Sequence, residues 1–133
     1  VGGFPKNVIL GEDMYVASKM ILTGWANAYC ADAEVYHSHN YSVVEEFKRY
    51  FDTGVFHARE TWIQNSFGRA ENEGIKFVFS ELKYLLKNYP NLIPSMIIRD
   101  AFKLVGYRLG KKEQLIPLGI KRKLSMSKSY WSL

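Results

Sequence analysis

Apolar side chains recur at helical spacing in four stretches of this sequence. Boundary signals accompany them, such as a capping box at Ser42 and Glu45 before the second stretch and Pro90 after the third. The predicted helices run from Glu12 to Gly24, from Ser42 through Trp62, from Ile75 to Asn88 and from Asn91 to Leu109. On the second helix, Lys48 and Asp52 stand four residues apart, a spacing that predicts an ion pair on the exposed surface.

The segments outside these helices predict a small β element and a tail. Residues 25–36 are rich in aromatic and small side chains and predict two short extended pieces that end at the histidines 37 and 39. Residues 111–133 contain Pro117 and Gly119 but lack helical periodicity, so we expect an irregular tail. The sequence therefore predicts an α+β fold that is mainly helical, with about four helices and a small β element near residues 26–37.

Composition narrows the class of protein. With 133 residues and an apolar fraction of 47%, the chain is long enough for one domain with a core, which excludes a disordered polar segment. The sequence contains no run of about 20 apolar residues, so it does not predict a membrane-spanning helix. Cys30 is the only cysteine, which excludes an internal disulfide and suits a reducing compartment. The opening Val1–Pro5 is typical of a loop rather than a natural start, so we expect a fragment of a longer protein.

Charge is distributed unevenly along the chain. Residues 1–98 hold nine Lys/Arg and eleven Asp/Glu, whereas residues 99–133 hold nine Lys/Arg and two Asp/Glu. This basic tail, with the rings of Tyr130 and Trp131, could meet anionic lipid or nucleic acid, or could simply be a solvated extension. Nucleic acid is the least favoured partner, because most aromatic residues fall on the apolar helical stripes rather than among the basic residues.

Two groups of residues could carry chemistry. Glu12 and Asp13 open the first helix, where unpaired backbone N–H groups favour negative charge, and a positioned carboxylate can accept a proton from a hydroxyl group. The alternative is that they have no catalytic role, because acidic residues are common in a first helical turn. His37 and His39 would face one side of a strand and could bind one metal ion, or could bond to nearby backbone. His57, inside a helix, is predicted to be structural.

Several of these segments, taken in order, carry a resemblance to a known family. They are Val1–Pro5, Gly11-Glu12-Asp13, Thr23-Gly24-Trp25 and Ala33–His39. The combination resembles the second half of family 2 inverting glycosyltransferases, and it is most similar to bacterial rhamnosyltransferases that build surface polysaccharide. The likeness continues through residues 47–54 and covers roughly residues 1–65.

The resemblance implies a GT-A type α/β domain, of which this chain would be the C-terminal part. It implies that Asp13 is the general base with Glu12 as a supporting carboxylate. His37 would close a metal and diphosphate site, and His39 would lie beside it. It also implies a divalent ion, Mg²⁺ or Mn²⁺, a nucleotide-sugar donor that carries rhamnose or a similar sugar, and a saccharide or lipid-linked acceptor.

One part of the family pattern is missing, because no Asp-x-Asp motif occurs in the sequence. We therefore expect the donor-binding half to precede Val1. Residues 1–65 would form the acceptor and base half, residues 66–110 a C-terminal helical extension and residues 111–133 the basic irregular tail. The chain alone is expected to be inactive.

The complete enzyme is expected in the bacterial cytoplasm, peripheral on the inner membrane. The alternative function is a non-catalytic helical binding module that docks on a membrane or a partner protein.

Overall fold

The computed structural model describes residues 1–36, 39–68 and 70–132, and the side chains of residues 70–72 lie outside this description. The described residues form helices α1 (Glu12–Leu22), α2 (Val43–Arg59), α3 (Thr61–Phe67), α4 (Ala70–Asn88), α5 (Ile93–Lys111) and α6 (Leu118–Leu124). Short 3₁₀ turns occupy Pro90–Leu92, Glu113–Leu115 and Lys128–Ser132. The prediction of a mainly helical fold is confirmed.

Local sequence signals set the starts of the helices. The capping box before α2 is confirmed, since the Ser42 amide donates to Glu45 Oε2 at 2.8 Å and the Glu45 amide donates to Ser42 Oγ at 3.3 Å. Hydrogen bonds from the Ser42 hydroxyl and amide hold the pKa of Glu45 below its usual value. Pro94 lies in the first turn of α5, where its missing N–H costs no helical bond.

The packing of α2 against α5 depends on three glycines. A Cβ atom at Gly54 would collide with the carbonyl of Tyr107, and one at Gly110 would collide with the carbonyl of Phe51. Gly106 meets α2 in the same way, through the carbonyl of a phenylalanine one turn earlier. The two helices therefore approach until their backbones touch, which only residues without a Cβ atom permit.

The core joins the two ends of the chain. Its buried apolar members are Ile9, Phe51, Val55, Phe56, Ile63 and Trp131. The segment after α5 folds back onto α2 and contributes Trp131 to this cluster. The prediction that residues 111–133 form an irregular tail is therefore wrong, because the segment forms α6 and two 3₁₀ turns. These elements span too few residues for a helical period to emerge from the sequence.

The predicted β element is also wrong. Among the described residues, 25–36 form no strand, and the side chains of Trp25, Tyr29 and Val35 are exposed. A strand needs a neighbouring strand for its backbone hydrogen bonds, and the described part of the chain offers none. The aromatic composition of this segment indicated a strand without revealing that it lacks a partner.

The helices after α2 differ from the prediction in their bounds. The second predicted helix divides at Glu60 into α2 and α3, and α4 begins at Ala70, five positions before the predicted start. Most of the described side chains on α4 are exposed, and Leu85 is its buried apolar residue. None of the helices in the described part of the chain combines the length and the apolar character that a bilayer crossing requires.

Candidate functional site

The carboxylate pair occupies the first turn of α1. Glu12 and Asp13 are both exposed, and Asp13 Oδ1 accepts a hydrogen bond from the Met14 amide at 2.8 Å. The preceding Gly11 adopts a left-handed conformation with a φ of 72°. Because the side chains point into solvent at a helix N-terminus, both can receive a polar ligand that approaches this end of α1.

Packing beneath α1 fixes this helix start. A Cβ atom at Gly11 would lie 3.2 Å from Cζ of the Phe56 ring, so the loop rests directly on the core. Further along α1, the Tyr15 ring meets the Trp62 ring edge to face at 5.3 Å between centroids. Ser18 is buried on the same helix. The two carboxylates therefore lie on a helix whose first turns pack against the core.

His39 lies in the loop before α2, three positions before Ser42. Its ring stacks on Tyr41 with centroids 4.9 Å apart and planes 6° apart. Both residues line an open depression of about 490 Å³ that also includes the side chains of Glu46 and Arg99. Arg99 closes one side, since it pairs with Glu46 at 2.9 Å and donates to the Tyr41 carbonyl at 3.2 Å. His37, the other predicted metal ligand, falls outside the described residues.

The described side chains do not assemble a complete set of metal ligands. In the part of the chain that the structure describes, no three His, Cys, Asp or Glu side chains cluster closely enough to hold an ion. Near His39, the Glu45 carboxylate accepts from Ser42 and the Glu46 carboxylate pairs with Arg99. A catalytic divalent ion needs several oxygen or nitrogen donors, and the described residues could supply only some of them.

His57 is buried within the helix pair. Its side chain is 7% exposed, and its Nδ1 lies 3.0 Å from the hydroxyl of Tyr107 on α5. Gln64 donates to the same hydroxyl at 3.4 Å. The prediction of a structural role for His57 agrees with this burial.

Asp52 is a buried carboxylate whose environment the sequence analysis missed. It is 1% exposed, so the predicted surface pair with Lys48 is wrong. Its Oδ2 accepts from the amides of Met126 at 2.9 Å and Ser127 at 3.2 Å. Burial raises the pKa of Asp52 and outweighs the hydrogen bonds that lower it. The available signal was its position on α2 directly after Phe51, on the buried side of the helix.

Glu113 is the second buried carboxylate that was missed. It is 3% exposed and pairs with Arg59 at 2.9 Å and with Lys121. Arg59 also donates to the Tyr130 hydroxyl at 2.8 Å, and its guanidinium lies 5.4 Å from the centroid of the Trp131 ring. The expectation that Trp131 faces a membrane is wrong, because this ring is 6% exposed and packs in the core. Nothing local in the sequence connects residues so far apart.

Comparison with known proteins identifies related sequences. Over 132 residues the chain is 54% identical to the O-antigen chain rhamnosyltransferase WbaN of Salmonella anatum, and equally identical to the O-antigen chain rhamnosyltransferase RfbN of Salmonella typhimurium. These matches cover 99% of this chain and 42% of each relative, so the chain spans about two fifths of their length.

No family model matches the chain, and no solved structure matches it. The residues that carried the resemblance in the sequence lie within the matched 99% of the chain. The predicted resemblance to bacterial rhamnosyltransferases of surface polysaccharide is therefore confirmed, and the chain is similar over almost its entire length to part of the O-antigen chain rhamnosyltransferases.

Proposed function

We propose that this chain is the C-terminal acceptor and base portion of an inverting glycosyltransferase that moves rhamnose, or a similar sugar, onto a growing surface polysaccharide. The observation that carries the proposal is 54% identity, over 99% of the chain, to proteins named O-antigen chain rhamnosyltransferases. The donor would be a nucleotide sugar, bound mainly by the part of the protein outside this chain. The acceptor would be a saccharide, carried on a lipid.

Asp13 is the proposed general base. Its carboxylate accepts the proton of an acceptor hydroxyl while the hydroxyl oxygen bonds to the anomeric carbon of the donor sugar. The bond from that carbon to the nucleoside diphosphate breaks at the same time, and the diphosphate leaves with the bonding electrons. Glu12 supports this reaction from the same helical turn. Exposure of both carboxylates, on a helix start that Phe56 and Gly11 hold in place, favours this assignment.

The test is Asp13→Asn in the complete protein. We expect a loss of roughly 100-fold or more in kcat, because the amide cannot accept the proton, with donor KM and the melting temperature nearly unchanged. Asp32→Asn is the matched control, since it removes an exposed carboxylate from the loop after α1. An Asp13→Asn enzyme that keeps most of its turnover would exclude Asp13 as the base.

A divalent ion, Mg²⁺ or Mn²⁺, is proposed for the complete enzyme, with His37 and His39 contributing to its site. The residues that the structure describes do not provide a complete set of metal ligands. We therefore expect titration calorimetry on the chain alone to give no tight binding of either ion. Tight binding that disappears in His37→Ala would contradict this division of the site.

The surface after residue 100 supports a role at the cytoplasmic face of a membrane. Between residues 101 and 132 the sequence has one acidic residue, Glu113, and it is buried. The exposed charges of this segment are therefore all basic; they belong to Arg108, Lys111, Lys112, Arg122, Lys123 and Lys128. Anionic lipid attracts such a surface, so the enzyme would meet a lipid-linked acceptor there.

A further inference from the structure

A buried hydrogen-bond relay runs from α2 to the loop before α1. It starts at Asp52, whose Oδ2 accepts from the amides of Met126 and Ser127. The hydroxyl of Ser125, a residue with no exposed surface, also accepts from the Ser127 amide at 3.0 Å. These bonds fix the backbone conformation of residues 125–127, because a bend there would leave the buried carboxylate without its donors.

The relay continues from Ser127 to the N-terminal loop. Ser127 Oγ donates to the carbonyl of Ile9 at 3.2 Å. Ile9 is 8% exposed and belongs to the core, and Gly11 follows it in contact with the Phe56 ring. Only three residues separate the held carbonyl from Asp13, so a displacement of Ile9 is carried a short distance along the backbone to the start of α1.

We propose that Ser127, held by Asp52, is a positioning residue for the Glu12 and Asp13 carboxylates. The inference rests on the proposed function, in which Asp13 accepts the proton. General-base catalysis is sensitive to small displacements, since a shift of about 1 Å at a reacting group can cost about 100-fold in rate. Ser127 donates to Asp52 through its amide and to Ile9 through its hydroxyl, so it acts on Glu12 and Asp13 through the backbone position of Ile9.

A double-mutant cycle in the complete protein tests this role. Ser127→Ala is expected to lower kcat about tenfold with donor KM changed less than about twofold, because one hydroxyl-to-carbonyl bond is lost. In the Asp13→Asn background the same replacement is expected to change the residual kcat less than about twofold, since no base remains to be positioned.

Two controls separate positioning from a general loss of stability. Ser127→Thr keeps the hydroxyl and should restore most of kcat. Ser129→Ala removes an exposed hydroxyl from the same segment and should leave kcat unchanged. Melting temperatures of all variants identify any variant that fails to fold. If Ser127→Ala fails to fold, Ser127→Cys takes its place in the cycle, because a thiol has a similar size and is only a weak hydrogen-bond donor.

The possible outcomes are distinct for the two proposals. An equal fall in kcat for Ser127→Ala in the wild-type and Asp13→Asn backgrounds would overturn the positioning role and leave Asp13 as the base. Full turnover in Asp13→Asn alone would overturn the assignment of Asp13 as the base, on which the positioning role rests.

Discussion

The guanidinium of Arg59 lies 2.9 Å from the carboxylate of Glu113, and this ion pair joins the end of α2 to the turn after α5. Lys121 reaches the other carboxylate oxygen from α6. Burial alone would raise the pKa of Glu113, but the hydrogen bonds and charges of Lys121 and Arg59 outweigh it and hold the pKa below its usual value. One carboxylate thereby joins α2 to the turn after α5 and to α6, although Arg59 and Glu113 are 54 positions apart.

Glu113→Gln should therefore destabilise the chain by about 2–3 kcal/mol, because it leaves two cations beside a neutral amide. The measurement is urea denaturation at neutral pH. The matched control is Glu73→Gln, which breaks an exposed pair with Lys76 on α4 and should change stability very little. Similar losses in the two variants would show that the buried network contributes no more than a surface pair.

The contact between α2 and α5 gives a second prediction. Gly110→Ala should cost at least about 3 kcal/mol, since the new methyl group meets the backbone of Phe51, which cannot move without separating the helices. Gly74→Ala is the control, because a Cβ atom at that position of α4 has nothing within 4 Å. It should stabilise by about 0.5–1 kcal/mol through helix propensity. Thermal unfolding of both variants checks the opposite signs.

The two buried carboxyls should give opposite pH dependences of stability. The folded-state pKa of Asp52 is raised above its ordinary 3.8, so the unfolded chain loses this proton first, and stability falls as pH rises from 3.8 through the raised value. The pKa of Glu113 is lowered below its ordinary 4.5, so its contribution is present above pH 4.5 and is lost as pH falls through the lowered value.

Unfolding free energies measured across acidic pH would separate these contributions. The stability of wild type relative to Asp52→Asn should fall as pH rises above 3.8, because the amide does not ionise. The stability of wild type relative to Glu113→Gln should increase as pH rises from the lowered pKa of Glu113 to 4.5. Slopes of the same sign for the two variants would contradict the opposite shifts.

Membrane binding should depend on the exposed basic residues after α5. Replacing Lys112, Lys123 and Lys128 with Gln should weaken co-sedimentation with anionic vesicles by about 10-fold or more at low salt, since each basic residue near the surface contributes about 1 kcal/mol at most. The control triple variant replaces Lys6, Lys83 and Lys87, which removes the same charge from exposed positions earlier in the chain. Lys121 is excluded because it pairs with Glu113.

Three results would count against this membrane role. They are equal binding to neutral and anionic vesicles, an equal loss in both triple variants, and insensitivity to salt, which screens attraction to a charged surface.

Local signals predicted the parts of this fold that local interactions determine. The capping box at Ser42 and the start of α1 at Glu12 need only neighbours within one turn, and the structure has both. The order of the motifs was also sufficient to identify the resemblance to rhamnosyltransferases. The candidate base itself remains a prediction.

Contacts between distant residues could not be predicted in this way. Asp52 meets Met126 across 74 positions, so the spacing to Lys48 suggested a surface pair instead. The basic composition after residue 110 similarly suggested an exposed segment, whereas Trp131 packs in the core. In both cases the contacting residues are more than 60 positions apart, and local periodicity carries no information about such contacts.

Because Ile9 and Trp131 belong to one core, this core cannot be completed during synthesis before residue 131 is available. The ribosome holds the most recently added residues in its exit tunnel, so the cluster around Phe51 and Val55 stays incomplete until residue 131 has emerged. Until then the nascent chain exposes apolar surface that invites aggregation and chaperone binding. A stop codon at position 130 would leave α1 to α6 encoded but would remove Trp131 from the core.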